Sequence, residues 1–310
     1  MKFQTLITLT LIFITFSCTD KVKEKNLLIT ADGSSTVFPI TEAIAEEYMK
    51  KNHGSKITIG ISGTGGGFKK FCKGQTLINN ASRSIKEIEQ KLCKSNNIKY
   101  IKIPVAYDGI TVVINPKNTW ATKLTTTQLN LLWQNDSKII TWNQLDPSWP
   151  KRKIKLFGPG PDSGTFDYFT KVINGKSGLS RSNYSHSEDD NIIIHGVSND
   201  VDAIGYFGYA YFINNTEKVK DVAISHKGSD YIKSNGENIL KNIYKPLSRP
   251  IYIYANKNQI IENIQFKKFI IFYLKSAEEL TRQVGYVNLD NNEYKKQVTS
   301  IEMFEPKVIR

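Results

Sequence analysis

The chain has 310 residues, of which 42 are lysine or arginine and 29 are aspartate or glutamate, so its formal net charge is +13. The length suffices for two ordinary domains, and the apolar fraction of 40% is normal for a globular protein. The lysines are spread along the chain without a dense basic run or a recognition motif, which argues against a nucleic-acid-binding protein. The charge favours anionic ligands or anionic lipid, or it reflects a lysine-rich composition alone.

Residues 1–17 have the features of a secretory signal peptide. A lysine near the start supplies positive charge, and the apolar run over residues 6–16 is too short to span a bilayer. The run leads to Cys18, which resembles a bacterial lipoprotein cleavage site except that Thr15 stands where an aliphatic residue is usual. We therefore expect export and lipidation of Cys18, with residues 18–26 as a tether, in a periplasm or on the outer face of a cytoplasmic membrane. The alternative is a non-lipidated signal peptide with an incidental cysteine.

Short apolar segments alternate with helical patterns along the rest of the chain. The pattern predicts strands at 27–30, 56–61, 100–105, 110–114, 153–156, 203–206 and 249–254. It predicts helices at 40–51, 67–73, 85–94, 125–133, 166–173 and 263–275. This alternation is typical of an α/β fold with largely parallel sheets, in which ligands bind beyond the carboxyl ends of the strands.

Three turns rich in hydroxyl groups and glycine precede predicted helices. They are residues 33–36 (Gly-Ser-Ser-Thr), 62–67 (Ser-Gly-Thr-Gly-Gly-Gly) and 158–168 (Gly-Pro-Gly-Pro-Asp-Ser-Gly-Thr-Phe-Asp-Tyr). The first N–H groups of a helix lack an internal partner, and the helix dipole adds positive charge there, so such a turn can hold an anion. One turn alone could be an ordinary helix cap. Three together predict a single oxyanion held from several sides.

Two cysteines, Cys72 and Cys93, remain once Cys18 is set aside. An exported chain favours a disulfide between them, and the alternative is two buried free thiols. The four histidines are scattered, and no Cys-x-x-Cys pair occurs in the sequence. We therefore expect neither a metal site nor a cofactor.

A set of motifs in fixed order carries a family resemblance. The chain resembles the phosphate-binding proteins of bacterial phosphate ABC transporters over nearly all of its mature length. It is most similar to the branch with an Ala-Ser-Arg motif, which includes cyanobacterial forms. The motifs are residues 32–40, 62–67, 80–83 (Asn-Ala-Ser-Arg), 106–113, 158–168 and 203–211.

The resemblance implies a type II periplasmic-binding-protein fold, in which two α/β lobes enclose a cleft and the chain crosses between them twice. We place the crossings near residues 107–108 and 248–249. The first lobe would then comprise 27–107 with 250–310, and the second lobe 108–249. The resemblance also implies a monomeric receptor rather than an enzyme. It would bind inorganic phosphate outside the cytoplasm and pass it to ABC permease subunits, with ligand closure as a hinge motion.

The resemblance also assigns phosphate contacts position by position. In the better-known branch an aspartate follows Ala-Ser, and an arginine precedes the second Ser-Gly-Thr. Here Arg83 takes the aspartate position, and the arginine position falls near Pro159. The guanidinium thus moves from one lobe to the other, where it would still suit bidentate phosphate binding. The resulting set is Ser35, Thr36, Val37, Thr64, Arg83, Ser163, Gly164 and Thr165.

The missing aspartate leaves the selectivity for phosphate to another residue. A carboxylate only accepts hydrogen bonds, so it favours an oxyanion that still carries a proton, and sulfate carries none at neutral pH. We rank the cluster Glu188-Asp189-Asp190 first as the acceptor, ahead of Asp162 and Asp108. Each of these has an alternative interpretation as a solvated surface carboxylate, and Asp162 as a helix cap.

Other functions compete with phosphate transport. The missing aspartate could indicate a receptor for another oxyanion, and a non-transport phosphate sensor could use the same fold. A phosphoesterase is disfavoured because no Gly-x-Ser-x-Gly elbow occurs. The sequence Gly-Lys-Ser at 175–177 is not a P-loop, since position 170 is threonine rather than glycine.

Overall fold

The computed structural model describes residues 27–305. The predicted signal peptide, the tether up to residue 26 and Cys18 lie outside these residues. The strands are β1 (Leu28–Gly33), β2 (Lys56–Ile59), β3 (Ile78–Ala81), β4 (Tyr100–Ile114), β5 (Lys123–Thr125), β6 (Lys155–Pro159), β7 (Ser185–Ser187), β8 (Ala203–Gly208), β9 (Lys220–Asp221), β10 (Ala223–Ser225), β11 (Ser248–Asn256) and β12 (Val287–Asn288).

The helices alternate with these strands, and a short 3-10 helix covers Trp142–Gln144. Among residues 27–305, none of the helices is both long enough and apolar enough to cross a bilayer. They are α1 (Phe38–Lys51), α2 (Gly63–Phe71), α3 (Glu87–Ser95), α4 (Thr126–Trp133), α5 (Gly164–Ile173), α6 (Asp190–Ser198), α7 (Tyr209–Ile213), α8 (Gly236–Leu240), α9 (Lys257–Glu262), α10 (Ile264–Gln283) and α11 (Asn291–Glu302).

One mixed sheet runs through the molecule in the order β2-β1-β3-β11-β4-β8-β6-β7, and β9 and β12 also pair with β4. The predicted parallel pairing is present between β1 and its neighbours β2 and β3, and between β6 and its neighbours β7 and β8. The prediction of largely parallel sheets is wrong at the centre, where β11 is antiparallel to both β3 and β4, and β4 is antiparallel to β8. These central strands carry the chain between the lobes, so they are not linked by helical crossovers that would make them parallel.

The strand β4 is a single element, although the sequence predicted two strands separated by residues 106–109. Its first part pairs with β11 as far as Gly109, and its last part, from Ile110, pairs with β8. The intervening Ala-Tyr-Asp-Gly segment stays extended because Ser248 and Arg249 of β11 lie opposite Gly109 and Asp108 in register. The central strands therefore form both crossings of the chain.

The two largest hydrophobic clusters among residues 27–305 lie on either side of the crossings. One core joins β1, the part of β4 up to Ala106 and the buried faces of α1 and α10. The other begins at Ile110 of β4 and extends to Leu247, with Trp133 and Tyr206 among its largest side chains. The molecule thus has the two-lobed α/β periplasmic-binding-protein fold with a cleft between the lobes. The bounds 27–107 with 250–310 and 108–249 stay a prediction.

The three hydroxyl-rich turns all lie at carboxyl ends of strands and start helices, as the sequence predicts. Helix α1 follows β1, and proline near its first position favours a helix start. Helix α5 follows β6, and its cap Ser163 accepts the N–H groups of Thr165 and Phe166 at 3.1 and 3.4 Å. Helix α2 begins at Gly63, four residues before the predicted start, so most of its glycine-rich segment is helical.

Cys72, just after α2, forms the predicted disulfide with Cys93 of α3, 21 residues further along the chain. The double substitution Cys72→Ser and Cys93→Ser should lower the free energy of unfolding by about 3 kcal/mol, because the unfolded chain regains the entropy that the closed loop removes. Urea unfolding of the variant and of the oxidised protein measures this difference. Equal unfolding midpoints and slopes would contradict the expectation.

Candidate anion-binding site

The three turns converge on one buried point between the lobes. Thr36 of the first lobe and Thr165 of the second lobe face each other, with their hydroxyl oxygens 3.1 Å apart. Thr64, at the start of α2, is fully buried and lies 3.2 Å from the hydroxyl of Ser82. Gly164 packs against these two residues, because a Cβ placed on it would lie 2.5 Å from Ser82 Oγ. The three segments thus bring their hydroxyl groups together.

Ser82 belongs to this cluster although the sequence did not select it. It follows β3, which pairs with β1, so its turn opens at the same edge of the sheet as residues 33–36. Its N–H donates to Thr64 Oγ1 at 3.1 Å, and its hydroxyl lies 3.0 Å from that of Ser34. The Ala-Ser-Arg motif contains Ser82, but the resemblance assigned the contact to its arginine.

The backbone of the first turn is fixed by two tyrosines. Tyr211 donates to the carbonyl of Ser35 at 3.1 Å, and Tyr286 donates to the carbonyl of Thr36. Val37 lies in the core with a fully buried side chain, and its N–H donates to Ser34 O at 3.2 Å. The turn therefore holds its hydroxyl groups in a set position, while Val37 serves the packing.

The site contains a buried arginine that sequence reasoning missed. Arg249 of β11 is 1% exposed. Its Nη2 donates to Thr165 Oγ1 at 2.7 Å and reaches Thr36 Oγ1 at 3.5 Å, and its Nη1 donates to Gly164 O at 3.2 Å. The sequence marked this position only as a crossing, because nothing local to Ser-Arg-Pro tells which way the side chain points.

Asp108 balances the charge of Arg249. The guanidinium donates to Asp108 Oδ2 from Nη2 at 2.9 Å and from Nε at 3.2 Å, and Asp108 Oδ1 accepts the N–H of Tyr209 at 3.2 Å. Burial raises the pKa of Asp108, and the bonded Arg249 opposes that rise. Both oxygens of this candidate acceptor are thus engaged, and Asp108 orients the arginine.

Arg83 lies beside the cluster but is directed elsewhere. It donates to Glu89 from Nη1 and Nη2 at 2.8 and 2.7 Å, and from Nε to Asp167 at 2.6 Å. A further bond runs from Nη1 to the carbonyl of Ser84 at 3.1 Å. The hydrogen bonds of Arg83 therefore go to Glu89, Asp167 and Ser84, whereas those of Arg249 include the hydroxyl groups of the cluster.

The acidic candidates occupy three different environments. Asp162 is half-exposed and pairs with Lys69 at 2.9 Å, while its carbonyl accepts the N–H of Gly65 across the cleft at 2.8 Å. Asp189 is the N-cap of α6 and accepts the N–H of Asn191 at 2.9 Å. Asp190 is 1% exposed, and its Oδ2 has no hydrogen-bond partner among residues 27–305.

Burial raises the pKa of Asp190 to about 8. The nearby Asp108 adds to the rise, and Arg249 opposes it. Burial likewise raises the pKa of Glu188 to about 7, and its Oε1 accepts the N–H of Asp162 at 3.1 Å. Of the predicted acceptors, Asp190 is thus the buried carboxylate whose pKa depends on the charges of both Asp108 and Arg249.

The arrangement presents the donor groups that a small tetrahedral oxyanion requires. Hydroxyl groups come from both lobes, the N-termini of α1, α2 and α5 converge on them, and Arg249 contributes a buried cation. Within residues 27–305 no group of three or more histidine, cysteine, aspartate or glutamate side chains could hold a metal ion. Asp190, whose Oδ2 has no hydrogen-bond partner among residues 27–305, is the candidate acceptor, and the buried guanidinium of Arg249 is the charged donor.

Comparison with known proteins places this geometry in a family. The family model described as the PBP superfamily domain matches residues 19–278. The chain belongs to this superfamily. Protein SphX of Synechococcus elongatus is 43% identical over 269 residues, covering 86% of this chain and 79% of the relative. The phosphate-binding protein PstS of Staphylococcus saprophyticus is 34% identical over 274 residues, covering 88% of this chain and 84% of the relative.

A solved structure of this superfamily shows the same architecture. It is a putative phosphate ABC transporter substrate-binding protein from Clostridium perfringens with bound phosphate. It aligns with a TM-score of 0.72 at 25% identity, and the alignment covers 85% of this chain and all of the other. Within the PBP superfamily, the chain therefore belongs with the SphX and PstS proteins, as its motifs indicate.

Proposed function

We propose that this chain is an extracytoplasmic receptor that binds inorganic phosphate reversibly and delivers it to an ABC permease, without catalysis. The observation that carries the proposal is the buried junction of Thr36, Thr165 and Arg249, where hydroxyl groups of both lobes meet a guanidinium. The names of the SphX and PstS relatives and of the Clostridium perfringens structure support phosphate as the ligand.

The proposed contacts combine the sequence-predicted positions with Arg249. Hydroxyl and backbone N–H groups of the first and second lobes would surround the anion, and Arg249 would supply the charge that the family otherwise takes from an arginine near Pro159. A direct contact by Arg83 stays a prediction. The set is Ser35, Thr36, Thr64, Ser163, Gly164, Thr165 and Arg249, and a contact by Val37 likewise stays a prediction.

The proposal also includes export of the chain and its attachment to a membrane by a lipid anchor. We infer a signal peptide over residues 1–17 and a lipid anchor at Cys18 on the sequence features of the N-terminal region. We infer a monomeric receptor from the family resemblance. Fatty-acid labelling of the expressed chain, compared with the Cys18→Ala variant, tests the anchor. Equal labelling of the two proteins would contradict it.

Calorimetric titration of the form that lacks residues 1–18 tests the ligand. Phosphate and then sulfate are titrated near neutral pH. Saturable phosphate binding with much weaker sulfate binding would support the phosphate receptor. Sulfate binding of equal or greater strength would reassign the site to another oxyanion, and turnover of a chromogenic phosphate ester would indicate a hydrolase instead.

We predict that Asp190 provides the selectivity for phosphate over sulfate. An ionised Asp190 accepts the proton that phosphate carries and repels sulfate, which has no proton to donate. Because the pKa of Asp190 is about 8, its ionised fraction grows as the pH rises through that value. The ratio of sulfate Kd to phosphate Kd should therefore increase between about pH 7 and pH 9, by roughly 10-fold for one charge-assisted hydrogen bond.

The Asp190→Asn variant should remove this pH dependence and most of the preference. Titrations with both anions across the pH range measure it, and Asp189→Asn, on the partly exposed cap of the same helix, is the matched control. A pH-dependent preference that survives in Asp190→Asn would assign the acceptor role to another residue.

A further inference from the structure

A buried ion-pair network joins the lobes beside the anion site. Arg83 of the first lobe donates to Asp167, in the first turn of α5 in the second lobe, at 2.6 Å. Lys86 reaches the same carboxylate at 2.7 Å. Glu89 pairs with Arg83 at 2.7 Å, and Ser177 donates to Asp167 at 2.7 Å. The network holds two positive and two negative side chains, so its charges cancel.

Each half of the network is also held by hydrogen bonds within its own lobe. On the first-lobe side, Glu89 holds two nitrogens of Arg83 and also accepts the N–H of Lys86 at 2.7 Å, and α3 is tied to α2 by the disulfide. On the second-lobe side, Ser177 keeps a bond to Asp167 that does not involve the other lobe. Opening the cleft would therefore break the Arg83 and Lys86 contacts with Asp167 and leave both halves of the network otherwise bonded.

The Asp108–Arg249 pair and the Arg83–Asp167 pair differ in what they connect. Asp108 and Arg249 lie opposite each other on the crossing strands, so that pair does not depend on closure. Arg83 and Asp167 belong to different lobes, and both are at most 9% exposed, which makes their contact little screened by solvent. Their hydrogen bonds exist only when the lobes are together.

We propose that Arg83 and Asp167 are positioning residues that form a latch, which stabilises the closed form and so slows the release of the anion. The latch proposal rests on the proposed phosphate-binding function, because the kinetic test measures the rates of phosphate binding and release. A contact made only in the closed form shifts the equilibrium between open and closed forms by its own free energy. The anion enters only the open form, so loss of the latch raises the dissociation rate and leaves the association rate equal or higher.

The first test is the Asp167→Asn variant of the mature protein, studied by stopped-flow measurement of phosphate binding. Loss of a charge-assisted hydrogen bond should raise the dissociation rate roughly 10-fold or more, and the association rate should equal or exceed that of the wild type. The matched control is Asp202→Asn, which breaks an exposed pair with Arg152 inside the second lobe. It should leave both rates unchanged.

A double-mutant cycle of Arg83→Gln and Asp167→Asn separates the latch from a direct ligand contact. For a latch, the two substitutions have similar effects and the double variant is little worse than either. For a direct contact of Arg83 with phosphate, Asp167→Asn would free the guanidinium, and binding would stay equal or become tighter. That result would overturn the latch. If the Arg83 variant folds poorly, Lys86→Gln replaces it in the cycle. Lys86 is half-exposed, so its loss should change the dissociation rate in the same direction by a smaller amount.

A ligand-free measurement distinguishes failure of the latch from failure of the phosphate assignment. Spin labels at Lys51→Cys and Lys241→Cys, one exposed position in each lobe, report the lobe-to-lobe distance. Without any anion, Asp167→Asn should shift the distance distribution towards longer values. An unchanged distribution would overturn the latch even if phosphate binds, whereas a shifted distribution in a protein that binds no phosphate would keep the latch and refute the ligand.

Discussion

Replacing Arg249 by lysine should weaken phosphate binding by roughly 100-fold, because a compact ammonium cannot reproduce two charge-assisted hydrogen bonds of the guanidinium. Arg249 reaches Thr165 Oγ1 at 2.7 Å while it also bonds Asp108 at 2.9 Å. A lysine keeps the positive charge beside the buried Asp108, so the substitution avoids leaving a carboxylate without a counter-charge. The loss should therefore appear in binding more than in folding.

Titration calorimetry with phosphate measures the affinity, and thermal unfolding without ligand measures the cost to the fold. Arg152→Lys is the matched control, since Arg152 is half-exposed and pairs with Asp202 on the surface. If Arg249→Lys bound phosphate as tightly as the control, Arg249 would have a structural role only, and the charge for the anion would have to come from another residue.

The substitution Gly164→Ala should have an effect of similar size by a different route. An added methyl group would lie 2.5 Å from Ser82 Oγ and also press on Thr64, both of which belong to the opposite lobe. The lobes could not close fully, and the closed form would be penalised by about 3 kcal/mol, or roughly 100-fold in affinity. Within its own lobe Gly164 is the first residue of α5, where alanine favours the helix, so the stability of the unliganded protein should stay equal or rise slightly.

The matched control is Gly236→Ala, at the first position of α8, where the nearest atom to an added Cβ is 3.8 Å away. Calorimetry and thermal unfolding are compared for both variants. A Gly164→Ala protein that retained its affinity would show that the ligand-bound form leaves more space between Gly164 and Thr64 than the structure does.

Much of the site could be predicted because it depends on local chemistry. Each of the three turns combines a strand end, a hydroxyl group and a helix start within a few residues, and that short-range pattern predicted an anion site at the turns. The family resemblance then assigned Thr36, Thr64 and Thr165 as contacts. The fold class followed from the same alternation of strands and helices, together with the family motifs.

What escaped prediction depends on pairing between distant segments. Arg249 lies opposite Asp108 only because β11 and β4 are antiparallel in that register, and 140 intervening residues separate them in sequence. The choice between Asp189 and Asp190 was likewise undetermined, since adjacent residues at a helix start face different directions and only one of them is buried. The single strand β4 was read as two because its middle, Tyr-Asp-Gly, has the composition of a turn.

The continuity of β4 alongside β11 has a mechanical consequence. Both strands run from one lobe into the other, so any opening is a bend or twist of this two-stranded ribbon, and the rotation axis passes close to it. Arg249 and Asp108 lie on the ribbon itself, close to the rotation axis, and therefore move little when the lobes open. Arg83 and Asp167 sit away from it and travel farther. We therefore expect an entering anion to bind the guanidinium of Arg249 near the rotation axis first. The hydroxyl groups of the two lobes would then close around the bound anion.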